Sequence, residues 1–363
     1  MASSSGNPSP STAGTPPVSL DRCLGELAYS YPETGHSVPV PFDDSGHLPD
    51  ENRLVLGGKQ SRGARMNSPR ILVIILNWRQ AVLTVECLET LRSMEGPTLD
   101  YLLIDNGSGD GSTEVFEKKI PWAAVLALPD NRGFAAATNM GLRKAINESY
   151  DFALLVNNDA FSEEDTLVKL LAESSADTAL ISPKILYESN PSLIWYGGGR
   201  QHPQLLEMRD RGLGKIDGAK WSSTRDVDYL LGTYLLVNIK AASKTGLFDE
   251  RFFFYYEDLD WSLRFRQDGF RLRVVGEARV NHRVSASTGG KDNPLNLYYL
   301  ARSSVVFFAK HARLGMPLSI LVFRFGSAVK MLASLTFSGQ FLSIRAYLAG
   351  LRDGIRLAMT SRA

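Results

Sequence analysis

"ILVIILNW", Ile71–Trp78, is a short, β-branched, wholly apolar run that breaks at an asparagine. That length and composition predict a strand buried on both faces of a parallel sheet. A helical stretch follows, with Val82, Val85, Leu88 and Leu91 at helical spacing. The alternation then repeats. "YLLI" (101–104) ends at "DNGSGDGS", "AVLAL" (124–128) at "PDNRGFAAATN", and "FALLV" (152–156) at "NNDA". After the last of these, "SEEDTLVKLL" predicts a helix with Ser162 as N-cap and acids in its first turn.

Four strand–loop–helix units predict an α/β fold with a doubly wound, mostly parallel sheet. In such sheets ligands bind outside the carboxyl ends of the strands. Those ends carry Asn77, Asp105–Asn106, Asn131–Arg132 and Asn157–Asn158–Asp159, so polar side chains gather where a nucleotide would sit. No G-x-x-x-x-G-K-[ST] string occurs, and no G-x-G-x-x-G follows the first strand. P-loop phosphoryl transfer and dinucleotide redox chemistry are disfavoured accordingly. Phosphates would need another neutralising device, and a carboxylate-held metal supplies one.

The totals agree with a globular protein: 363 residues, 44% hydrophobic, formal net charge +1. Nothing there draws the chain to nucleic acid. Two cysteines, Cys23 and Cys87, suggest neither a disulfide framework nor a cysteine metal site, which fits a reducing compartment. Residues 1–68 open with "MASSSGNPSPSTAGTPP" and read as a disordered tail. They lack the basic-then-apolar order of a signal peptide. Met66, just before "NSPRILVIILNW", is an alternative start. At the other end, Ala301–Ala363 holds nine Lys/Arg against one acid, Asp353, in a strongly apolar setting. Arg324 and Lys330 interrupt any spanning stretch, so residues 312–363 are expected to form basic amphipathic helices that lie on an anionic membrane surface or pack on the domain.

Beyond residue 180 the pattern loosens. "WYGGGRQHPQLLEMRDRGLGKIDG" suggests long loops, and 227–238 reads as a strand pair or one strand broken by glycine. A helix is expected from about Asp258 to Gln267, stopped by Gly269, then a strand over 271–275, and another helix in "YYLARSSVVFFAKH".

Chemistry is available at several points. Asp159 suits a hard divalent cation, with Asn157 or Asn158 serving ribose or the metal's water shell; a self-bonded turn is the plainer reading. Asp105, beside Asn106, could accept from a uracil or thymine imide. In "NRGFAAATN", Arg132 with Gly133 offers a phosphate contact, and Asn139 lies in the helix that follows. His282 is a candidate nitrogen ligand for the same metal, and Lys291 with "SASTGG" a flap over a diphosphate. Glu257, Asp258 and Asp260 open a helix directly after five aromatics, Phe252–Tyr256. The macrodipole explains acids there, and aromatic walls would raise a carboxylate's proton affinity as a general base requires.

From about Arg70 to His311 these strings together resemble bacterial family 2 glycosyltransferases of the GT-A fold, in the rhamnosyltransferase-like branch. They are "ILNW", "LLIDNGSGDGS", "NRGFAAATNMGLRKA", "LLVNNDA", "GLFDERFFFYYEDLDWSLRFRQDGFRLRVVGEARVNH" and "YYLARSSVVFFAKH". The resemblance implies a domain at 69–311 that transfers a sugar, with inversion, from a nucleoside diphosphate (dTDP- or UDP-linked, L-rhamnose being the branch-level guess) to a hydroxyl of a lipid-linked or polysaccharide acceptor. It implies Asp105 as the base-recognising acid and Asp159, with His282, as ligands of Mg2+ or Mn2+. Asp258 matches the catalytic base, and Glu257 orients the acceptor or shares that role. Trp195, Phe253, Phe254 and Tyr255 would wall the sugar. The expected location is cytoplasmic, on the inner face of the cell membrane. The chain departs from the pattern in having one carboxylate in Asn157-Asn158-Asp159, alanines after "GF", and Ser303 in place of asparagine. Two competing readings are a non-catalytic GT-A-like module that binds a nucleotide sugar or a partner enzyme, and a sugar-1-phosphate nucleotidyltransferase. The second expects a glycine-rich loop after the first strand, and "NWRQ" has no glycine.

Overall fold

The computed structural model describes residues 54–55, 68–202, 204–284, 293–312 and 318–360. Lys291 and the 285–290 run, like most of the N-terminal segment, lie outside these. A short strand β1 (Leu54–Val55) is followed by β2 (Ile71–Asn77), α1 (Ala81–Arg92), β3 (Leu99–Asp105), α2 (Ser112–Lys119), β4 (Ala124–Ala127), α3 (Gly133–Asn147) and β5 (Phe152–Asn157). Next come β6 (Ala160–Ser162), α4 (Thr166–Ala172), β7 (Thr178–Tyr187), β8 (Asn190–Tyr196), β9 (Gly199–Gln201), β10 (Met208–Asp210), β11 (Arg225–Asp226), β12 (Tyr234–Asn238) and α5 (Ile239–Thr245). The chain continues through α6 (Glu257–Gln267), β13 (Arg271–His282), α7 (Pro294–His311), α8 (Leu318–Phe337) and α9 (Phe341–Thr360).

The main sheet runs β1-β4-β3-β2-β5-β12-β7-β13-β11. β2, β3, β4 and β5 pair in parallel, as do β7 and β13. β12 enters antiparallel between β5 and β7. Helices cover both faces, and two apolar clusters result. One holds Leu72, Ile74, Met140 and Trp261, the other Val73, Ile75, Leu88 and Phe116. Alternate residues of β2 thus point to opposite clusters, which is why its sequence is apolar at every position.

Three local expectations change. Ser162 does not cap a helix: residues 160–162 form β6 against Val280–His282, and the Ser162 hydroxyl donates to the Tyr234 hydroxyl at 2.9 Å. α4 starts later, after Asp165. The 227–238 region makes one strand, and β13 extends to His282 through a register shift after Val275. Gly276 allows that shift, since a Cβ there would stand 2.1 Å from the Trp221 carbonyl oxygen. Gly269, at φ +87°, ends α6 as expected.

α9 packs along α7, and the sequence reading overlooked how closely. A Cβ on Gly350 would lie 2.2 Å from the Tyr298 carbonyl oxygen, and one on Gly354 2.6 Å from that of Arg302. Glycine at both positions lets the two backbones nearly touch.

Candidate active site

The four parallel strands end at one edge, and their polar termini are bonded into a row. Asn77, fully buried, donates from its amide to Asp105 at 2.7 Å and to the Ser108 hydroxyl at 3.0 Å. Its amide oxygen accepts from Thr84 at 2.8 Å, and the Thr84 oxygen accepts from Asn158 at 2.9 Å. Asp105, Asn77, Thr84 and Asn158 therefore form one connected chain from β3 to the turn after β5. Thr84 and Ser108 were not singled out in the sequence. A threonine on the buried face of α1, seven residues after Asn77, was the available signal.

Asn106 works on the neighbouring loop. It accepts from the Arg132 backbone N–H at 2.9 Å and donates to the Gly133 carbonyl at 3.2 Å. Gly133 sits at φ +78°, and a Cβ there would reach within 2.5 Å of the Phe253 carbonyl oxygen. That same oxygen accepts from the Phe134 N–H at 2.8 Å. The Arg132 side chain is exposed and paired with Asp130. Asn139 is placed elsewhere: both its amide atoms serve the 248–250 segment, bonding the Phe248 backbone and Glu250.

Asp159 and His282 meet across β6 and β13. Oδ1 of the buried aspartate lies 3.1 Å from Nε2 of the buried histidine. The Trp195 ring stands edge-on to the imidazole, centroids 4.4 Å apart. Two donor atoms about 3 Å apart have the spacing of neighbouring ligands on one ion with bonds near 2.1 Å. Among the described residues no cluster of three or more His, Cys, Asp or Glu offers a fuller cage. A carboxylate and an imidazole alone fit Mg2+ or Mn2+, which keep most positions for water and phosphate oxygens.

The acidic pair stands on a turn in a costly conformation. Tyr255 and Tyr256 adopt φ +67° and +70°, a region disfavoured by about 1–3 kcal/mol for a side-chain-bearing residue. α7 holds that turn from outside. Arg302 donates to the Arg251 carbonyl at 3.0 Å, and Ser303 to that of Phe254 at 2.9 Å. Tyr299 stacks on Phe253, centroids 4.6 Å apart. Asp260 is fully buried and contacts Arg264 at 2.9 Å, Lys310 at 2.7 Å and His311 at 2.8 Å. Burial alone would raise its carboxyl, but the hydrogen bond from His311, with Arg264 and Lys310, holds it below the usual range.

Asp258 is different. It accepts from the Gly232 N–H at 3.1 Å and the Leu259 N–H at 2.8 Å, and among the described residues it forms no ion pair. Burial pushes its carboxyl up to about 6 against those two hydrogen bonds, and Asp210 adds to the rise. Burial, then the charge of Asp258, raises Glu257 well above the carboxylate range, and its Oε2 has no hydrogen-bond partner. Burial thus raises the proton affinity of both neighbouring carboxyls. Gly232, also unanticipated, ties the pair to the sheet edge: its neighbour Thr233 accepts from the Asn157 N–H at 2.9 Å. Asp258, the Asn-Asn-Asp turn and the Asn77–Thr84 row are thereby linked.

With that geometry in place, comparison with known proteins is informative. Residues 72–222 match the sequence profile of Glycosyl transferase family 2. Over 236 residues the chain is 28% identical to an N-acetylglucosaminyl-diphospho-decaprenol L-rhamnosyltransferase of Mycobacterium tuberculosis, covering 58% of this chain and 75% of that protein. It is 20% identical over 241 residues to a dTDP-rhamnosyl transferase of Shigella flexneri, covering 64% and 78%. The crystal structure of GalNAc-T7 with UDP, GalNAc and Mn2+ superposes with a TM-score of 0.52 at 16% identity, over 69% of this chain and 52% of that one. The last likeness concerns the fold alone.

Proposed function

The chain carries a family 2 glycosyltransferase domain on a GT-A fold, and from that premise we propose that it transfers a sugar from a nucleoside diphosphate to an acceptor hydroxyl with inversion at the anomeric carbon. The observation that carries this reading is the Glu257–Asp258 pair, which directly follows a strained turn and is tied through Gly232–Thr233 to the strand ends. Asp258 takes the acceptor proton as the acceptor oxygen bonds to the anomeric carbon. The bond from that carbon to the diphosphate oxygen breaks on the opposite face, and the diphosphate leaves with the electron pair. Glu257 orients the acceptor. Asp105 faces the nucleobase, fixed by Asn77 and Ser108. Asp159 and His282 would hold Mg2+ or Mn2+, which when bound acts as a Lewis acid for the charge on the leaving diphosphate. Trp195 and the 253–255 aromatics limit water access and donor hydrolysis.

The two rhamnosyltransferase relatives favour dTDP-L-rhamnose as donor and a lipid-linked diphosphate sugar as acceptor. A panel of dTDP-, UDP- and GDP-sugars, assayed for nucleoside diphosphate release with each acceptor, tests this. Release only with a dTDP-sugar is expected; release with none in the presence of either metal rejects the reading. Asp159→Ala should weaken metal-dependent donor binding by roughly tenfold or more. Equal donor affinity with and without divalent cation would remove the metal role.

A further inference from the structure

α8 is 20 residues long, about 30 Å, with a mean hydropathy of 1.6 over its most apolar window and only 11% of that window buried. Its outer face presents Leu318, Leu321, Val322, Phe325 and Val329, a row too large and too apolar to be scattered surface residues. Its inner face is attached. Ile320 packs with Phe252, Leu263 and Phe307, and Leu335 near the other end is also buried. Arg324 points the same way: it donates to the Ser304 hydroxyl at 2.7 Å and covers the Phe308 ring at 4.5 Å, and the adjacent Ser303 bonds the Phe254 carbonyl of the turn before Tyr256. The charges left outward on α8 and α9 are Lys330, Arg345, Arg352 and Arg356, whereas the lone acid, Asp353, is occupied by Arg352 and Tyr298.

We propose that α8 lies in the plane of an anionic lipid surface, and that its inward Arg324 joins this contact to the Tyr256 turn that carries Asp258. Three observations select that occupant. Lys330 and Arg345, with Arg352 and Arg356 sharing the single acid Asp353, leave a net outward charge of +3 that matches anionic headgroups. The row of leucine, valine and phenylalanine matches the acyl boundary beneath them. Attachment at Ile320, Arg324 and Leu335 fixes the helix along the protein, which a crossing helix could not keep. The consequence is local. Tyr256 holds a left-handed conformation directly before Glu257 and Asp258, so seating α8 on lipid steadies the residue that aims the base. The docking itself stands apart from the transferase reading; only its consequence at Asp258 rests on it.

Flotation of the full chain with vesicles of phosphatidylcholine, alone or mixed with phosphatidylglycerol, tests the first part. Flotation with the anionic vesicles and release by salt are expected. Leu321→Glu combined with Phe325→Glu should lower partitioning by roughly tenfold with an unchanged circular dichroism spectrum, both side chains being exposed. Equal flotation on both lipids, full retention by the double variant, or resistance of membrane-bound chain to salt and alkali (a crossing helix) overturns the docking. So does a concentration-dependent dimer that buries α8 without lipid. Hydrogen exchange tests the second part. Anionic vesicles should protect amides 252–258 in the wild type; Arg324→Gln should float equally but lose that protection. Exchange that vesicles leave unaltered overturns the link. None of these readouts measures sugar transfer, so their failure is separable from failure of the donor panel.

Discussion

Two aspartates two residues apart in α6 are driven in opposite directions, and the difference lies entirely in their partners. Asp260 meets two cationic groups, Arg264 and Lys310, and the His311 imidazole, whereas Asp258 meets two backbone N–H groups and otherwise burial. A base must be ionised, so transfer should fall as pH drops through about 6, with the acid limb in kcat/KM assigned to Asp258. Asp258→Asn should lower kcat by about 10²–10⁴-fold and leave donor affinity by calorimetry within a few-fold; unchanged turnover would remove it as base. Folding raises the proton affinity of Asp258, so its contribution to stability is fullest below the unfolded value near 3.9 and declines as pH rises through about 6. Asp260 has the reverse sign. Its folded value is depressed, so its contribution is present above about 3.9 and is lost as pH falls through that lower value. Asp260→Asn strands Arg264, Lys310 and His311 and should cost about 3 kcal/mol, measured by denaturant midpoint. The sequence pointed to both acids at the start of a helix. It could not place Lys310 and His311, fifty residues on, beside them.

Elements that alternate strand and helix were legible because their apolar period is local and their polar ends cluster. The second half of the sheet was not, since β12 and β13 are defined by what they pair with. Ser162 illustrates this: its helix-cap chemistry is genuine, but pairing with β13 takes the residue first. The turn after β4 was read for a phosphate contact by Arg132 with Gly133; the glycine also places the aromatic turn. Gly133→Ala must accept both a left-handed backbone and a Cβ 2.5 Å from the Phe253 carbonyl oxygen. Its thermal or denaturant midpoint should fall by the equivalent of about 2 kcal/mol or more, with sugar transfer reduced beyond what the lost folded fraction explains.

Across the whole molecule a net charge of +1 conceals a strongly basic, apolar C-terminal end. That asymmetry was visible in composition, but the sequence left open whether its helices pack or face outward. Both occur: α9 packs on α7 through Gly350 and Gly354, whereas α8 turns much of its surface out. The site likewise draws on residues far apart in the chain, from Asn77 to Ser303. The position of β12 has a temporal meaning as well. Residues 234–238 separate β5 from β7, so the sheet cannot close in the order in which the chain leaves the ribosome. β5 emerges, and its free edge must stay open through the next roughly 80 residues of synthesis, a wait of about 4–16 s at ordinary elongation rates. During that interval the half-built sheet is an adhesive edge, and a nascent chain stalled before Tyr234 is the species that chaperones would most need to shield.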